Sequence, residues 1–241
     1  MTFYEGARML HILGGTIALA SFWITAVMRK GTDRHRLLGR IYLVAITFII
    51  LTAVPLALGA FERHTPVTGA FLLYLIVITG TPAFLAWRAI RDKSDVKRYT
   101  GVAYRGLAVL SILAGATVLY LGIRFDALLL AGFSAVGLVT GSLMLRFAHR
   151  PPAERNWWLS EHYGAIIATG VATHVAFINL GLSHIVPQAW AAQLVIFSFF
   201  GPLVIAIAAR QWLDRKYSRK SRRPKAVTVA ALSDSAKGLV Q

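Results

Sequence analysis

The apolar residues of this chain fall into uninterrupted runs, each about as long as a bilayer is thick. A helix needs about 20 such residues to cross the hydrocarbon core. Seven stretches meet that need: Ala7–Met28, Ile41–Phe61, Gly69–Ile90, Leu107–Ile123, Ala127–Ala148, Glu161–Leu182 and Ala189–Arg210. The expected fold is therefore all-α, a polytopic membrane bundle of seven transmembrane helices over residues 1–210. A basic juxtamembrane segment and a disordered cytoplasmic tail are expected over 211–241. Composition agrees: 56% of residues are hydrophobic and the mean hydropathy is +0.60, above ordinary soluble usage.

The net charge of +16 could point to nucleic acid, but its placement argues for a membrane. The connections alternate. Arg29, Lys30, Arg34, Arg36 and Arg40 crowd the first, and only Arg63 stands in the second. Arg88, Arg91, Lys93, Lys97, Arg98 and Arg105 crowd the third, Arg124 is alone in the fourth, and Arg146, Arg150 and Arg155 mark the fifth. The sixth has neither lysine nor arginine. Positive charge stays cytoplasmic, so the expected orientation is N-out and C-in, in a bacterial inner membrane. The first span lacks a strongly basic leader and reads as a retained helix, not a cleaved signal. In the tail, Arg215, Lys216, Arg219, Lys220, Arg222, Arg223 and Lys225 suit an anionic leaflet, at about 1 kcal/mol each near the surface.

Side chains inside the runs refine this. Trp157, Trp158 and Trp190 stand where amphipathic rings prefer the interface. Pro55, Pro82 and Pro202 should kink their spans. Small residues at helix-packing spacing (Gly14 with Ala18, Gly137 with Gly141, Gly164 with Ala168) should let backbones approach closely, with Gly115 and Leu119 a weaker pair.

Chemistry has few carriers. The chain has no cysteine, which removes disulfides, thiolate metal sites and iron–sulfur clusters. It contains no phosphate-cradling loop, no HExxH helix and no nucleophile elbow. No Asp or Glu lies deep in a run, so a carboxylate relay through the bilayer is not visible. The histidines remain. By topology His11, His64, His174 and His184 fall toward the outer face, and His35, His149 and His162 toward the inner.

His11 and His174 have similar expected depths, on helices that run in opposite directions. Gly15 and Gly170 lie four residues deeper on the same faces, leaving room for a flat ligand or a close crossing. Imidazole suits zinc, copper, nickel and haem iron. The expected site is thus an outer one built from His11, His174, Gly15 and Gly170, with His11 and His174 as ligands to haem b or a transition-metal ion. His35, His162 and His149 form a second candidate at the inner face, with solvated loop histidines as the plainer reading.

His11 and Gly15, followed by His35-Arg36-x-x-Gly39-Arg40-x-Tyr42, resemble the opening motif of an uncharacterised bacterial membrane-protein family, the domain of unknown function 2306. The segment WWLSEHYGAIIATGVATHVAF, with His162, His174 and Phe177, is similar to a second segment of its longer members. The likeness covers about the first fifth of the chain and the sixth run. Where members often carry a histidine–arginine pair, Lys97-Arg98 stands here. The resemblance implies a membrane location, points at His11, His35 and His162, and implies no reaction. Three functions follow: electron transfer through haem or metal, passage of a small solute along kinked helices, or a non-catalytic component docking a partner on its basic face.

Overall fold

The computed structural model describes residues 3–182 and 186–221. Its elements are α1 (Phe3–Val27), α2 (Asp33–Glu62), α3 (Pro66–Arg91), the single turn α4 (Val96–Tyr99), α5 (Val102–Arg124), α6 (Leu128–His149), α7 (Trp157–Leu182), a 3₁₀ turn (Gln188–Trp190) and α8 (Ala191–Ser221). Among the described residues there is no strand. Six of the helices are long and apolar enough to cross a membrane: α1, α2, α3, α5, α6 and the stretch Gln188–Tyr217, which takes in most of α8. α7 matches them in length, with 26 residues, and lies outside the six over its described residues, where Glu161, His162, Thr169, Thr173 and His174 interrupt the apolar sequence.

Side chains are sorted as a lipid solvent sorts them. Large aliphatics point outward, among them Val44, Leu51, Leu113 and Ile205. The buried set is rich in alanine, tyrosine, serine and threonine. Water would select the reverse. In lipid, helices gain from small contacts and interhelical hydrogen bonds, because tails are as apolar as leucine.

Neighbours pair closely, most extensively α5 with α6 and α1 with α2. α3 touches α2, α5 and α7, and α7 touches α1, α3 and α8, so α3 and α7 form the middle of the bundle. The α5–α6 crossing depends on glycine. A Cβ on Gly137 would stand 2.7 Å from the Ser111 carbonyl oxygen, and one on Gly122 would stand 2.5 Å from the Ala131 nitrogen. Gly141 is held as tightly against Ala108.

Helix starts differ from the apolar runs. α2 begins at Asp33, two turns before the run at Ile41, because Thr32 caps it by accepting from the His35 amide at 3.2 Å. An N-cap of this kind satisfies a donor the helix cannot. His35 therefore rides on a helix, not in a turn. α8 runs unbroken past Arg210, where the last span was expected to end, to Ser221. Trp157, expected as an interfacial ring, is buried instead, its ring centroid 4.9 Å from that of Tyr99.

One buried charge organises the connection after α3. Asp92 is fully enclosed and is bonded by Arg88, with Arg91 at 3.1 Å and Arg98 at 3.4 Å. Burial alone pushes this carboxyl up, but hydrogen bonds and charge from Arg88 and Arg91 outweigh it and hold it below the usual carboxylate range. Arg88 also donates to the Arg98 carbonyl, which ties α4 back onto α3.

Candidate functional site

Alternate crossings of the bundle place the connections α1–α2, α3–α5 and α6–α7, with the far end of α8, at one end, called here the basic end. The histidines divide between that end, the middle and the opposite end.

His11 and His174 are not brought together. His11 Nδ1 lies 3.0 Å from Thr52 Oγ1 on α2. The Thr52 proton is directed at the carbonyls of Phe48 and Ile49, so His11 must donate. His174 instead meets Trp23, twelve residues further along α1 than His11, about 18 Å at 1.5 Å per residue. The indole can only donate, so His174 Nε2 accepts at 3.0 Å and Nδ1 donates to the Gly170 carbonyl at 2.7 Å. Both ring nitrogens are spent. The room beside Gly170 is filled by the Phe22 ring, and Gly15 has nothing within 4 Å of its Cβ position. The outer site expected from the sequence is thus taken apart: the partners that hold each imidazole come from its own neighbourhood. Of the other histidines in that group, His64 is exposed at a φ of 57° and His184 lies outside the described residues.

The inner pair is brought together. α2 and α7 run in the same direction, and Tyr42 on one donates to Thr169 on the other at 2.8 Å. Seven residues toward the basic end from that bond stand His35 on α2 and His162 on α7. Seven residues are two turns, so both stay on the face they share with Tyr42 and Thr169. His35 has the Lys30 ammonium, the His162 ring and the Thr25 backbone carbonyl as its polar neighbours. His162 Nδ1 donates to the Ala86 carbonyl of α3 at 3.0 Å, which leaves the Nε2 lone pair free of that bond. Among the described residues His35 Nδ1 is buried without a hydrogen-bond partner, and so is Thr25 Oγ1 of α1. Buried polar atoms without partners are uncommon, and each one asks for an explanation.

His149 does not join them. It is exposed at the end of α6, where with Arg105 and Leu145 it lines an open recess of about 360 Å³. Among the described residues no group of three or more His, Asp or Glu could hold a metal, so a metal here would rest on two imidazoles.

One residue before His162, Glu161 accepts from the buried Tyr99 hydroxyl at 3.1 Å. Burial first, and then the facing Glu161 carboxylate, push the Tyr99 hydroxyl far above the usual phenol range. It stays a donor. The pair fixes the first turns of α7, and with them His162, against the α4 connection.

Thr25 and Ala86 are site residues that reading the chain missed, since neither a threonine nor an alanine carbonyl announces itself. One signal was available: His35–Tyr42 and His162–Thr169 share a spacing of seven. Comparison of the chain with protein-family models, with curated proteins and with solved structures finds no match. Fold and side-chain sorting together define the class, a helical multi-pass membrane protein.

Proposed function

We propose that this chain is a seven-span protein of the bacterial inner membrane, N-out and C-in, which binds a transition-metal ion between His35 and His162. α7 is the seventh span in this reading, its polarity turned inward to α1, α2 and α3. Basic connections and the cations of α8, including Arg215 and Lys216, then face the anionic cytoplasmic leaflet.

The observation that carries the metal reading is the pairing of lone pairs. His162 is fixed by a carbonyl on its other nitrogen, as metal-bound histidines usually are. Nothing among the described residues satisfies the buried Nδ1 of His35. Copper, zinc and nickel all accept imidazole, and Thr25, whose backbone adjoins His35, carries a buried hydroxyl able to accept from a metal-bound water. An ion suits this place better than haem b. A porphyrin needs a slot between its two axial rings, and Tyr42, Ile46 and Ile166 close the α2–α7 contact just above. Membership of the family that the His11–Tyr42 motif resembles belongs to the same proposal.

The test is metal content and titration of the full chain in detergent. The expected result is about one equivalent of copper, zinc or nickel, with affinity falling at least ~100-fold in His35→Ala and in His162→Ala. His11→Ala should leave it unchanged. No saturable binding of any of the three ions, by folded protein, sinks the proposal.

A further inference from the structure

A second site lies at the basic end, around the start of α7, and does not use the histidine pair. There a cavity of about 350 Å³ opens between the start of α7, the 150–156 connection and the end of α8. Its walls go against the grain of the chain. Only ten of 241 residues are acidic, yet three of them, Glu154, Glu161 and Asp214, line this one cavity, with Arg210 the one cation among the described lining residues.

The carboxylates are unequally satisfied. Asp214 Oδ1 is bonded by Ser160 at 3.2 Å and by the Tyr163 hydroxyl, and Oδ2 lies 3.8 Å from Arg210 Nε. Arg210 is pressed down on α7 in the space that Gly164 leaves, where any Cβ would collide with its guanidinium. Glu161 accepts one hydrogen bond among the described residues, from Tyr99, although a carboxylate offers about four acceptor positions. Aromatic rings supply the remaining walls. Tyr163 and Tyr217 stack at 5.8 Å and 26°, and Trp157 and Phe147 stand beside them.

Anionic oxygens with aromatic faces are the surroundings that recognise an organic ammonium group, through charge and the ring quadrupole together. A bare metal ion would have no use for the rings. The volume suits a small molecule, near the lower end of ligand pockets at about 300 Å³. We infer that this cavity binds an organic cation, a primary or quaternary ammonium, with Glu161 and Asp214 as counter-ions and Tyr163, Tyr217 and Trp157 as the cage. The group can come from a free amine or from the ethanolamine headgroup of a lipid.

The test is calorimetric titration of the full chain in detergent with choline and with ethanolamine, against the uncharged carbon isostere of choline. A parallel arm measures thermal stability in nanodiscs of phosphatidylethanolamine and of phosphatidylglycerol. Saturable binding of either amine but not of the isostere, weakened about tenfold in Glu161→Gln and in Tyr217→Ala, is the expected result. Tyr217 stands on the exposed side of the cavity, so its variant keeps the test meaningful if Glu161→Gln fails to fold. Silence of the free amines with stabilisation by the ethanolamine lipid, lost in the same variants, assigns the lipid as the source. Equal binding of the isostere, or no response to either source that depends on these residues, overturns the inference.

Discussion

Asp92 shows how much one side chain can hold in place. Three arginines converge on it directly, and its loss would leave Arg88 buried without a counter-ion. Breaking such a pair from one side costs about 3 kcal/mol or more. Asp92→Asn should therefore lower the thermal transition of the detergent-solubilised protein sharply, with loss of the α3–α4 tie. The pH dependence has a definite sign. The carboxyl is held below its usual range in the folded protein, so its contribution is complete above the ordinary carboxylate pKa of about 4 and is lost as pH falls through the lower folded value. The gap between wild type and Asp92→Asn should be flat at neutral pH and close only in that acid range. A gap that changed between about pH 6 and 8 would assign the effect to another group. His174 teaches the same lesson from the other side. Its sequence context promised a ligand, and the donor-only indole of Trp23 uses the nitrogen a ligand would need.

At the scale of helices, the apolar runs were legible and their ends were not. Bilayer-length runs appear directly in the chain, and each became a helix. α2 and α8 extend beyond their runs because capping by Thr32 and the ion pair Arg210–Asp214 support polar turns outside the apolar stretch. The inner histidines were legible as candidates, whereas their pairing depended on which helices touch. Sequence supplies depth along a helix but not its neighbours, and the outer pair failed on that point. Glycine can be read in the same way. Gly14 and Gly15 are adjacent, yet only Gly14 is pressed, with the Phe48 ring 2.9 Å from its Cβ position. Gly141→Ala and Gly137→Ala should cost about 1–3 kcal/mol by forcing the α5 and α6 backbones apart. Gly15→Ala and Gly106→Ala, with open space around them, should be neutral or gain a few tenths through helix propensity. Denaturation in detergent would separate the two classes, and equal costs in both would remove the close crossing from the account.

For the whole molecule, the native lack of cysteine makes the arrangement in the membrane directly testable. Single cysteines placed at His64, at Pro152 and at Gln188 should label with an impermeant maleimide from the outside, the inside and the outside respectively. Labelling of Pro152→Cys and Gln188→Cys from one side would mean that α7 does not cross. If it does cross, it is a rod held at more than one level. A rod fastened at one point can swivel, but α7 is bonded to α2 at Thr169 and to α3 at His162, a heptad apart. Neither rotation nor sliding is open to it unless both fastenings give way. A push at the basic end is then not absorbed locally. It moves the rod as a whole and arrives twelve residues on, about 18 Å away, where His174 leans on Trp23.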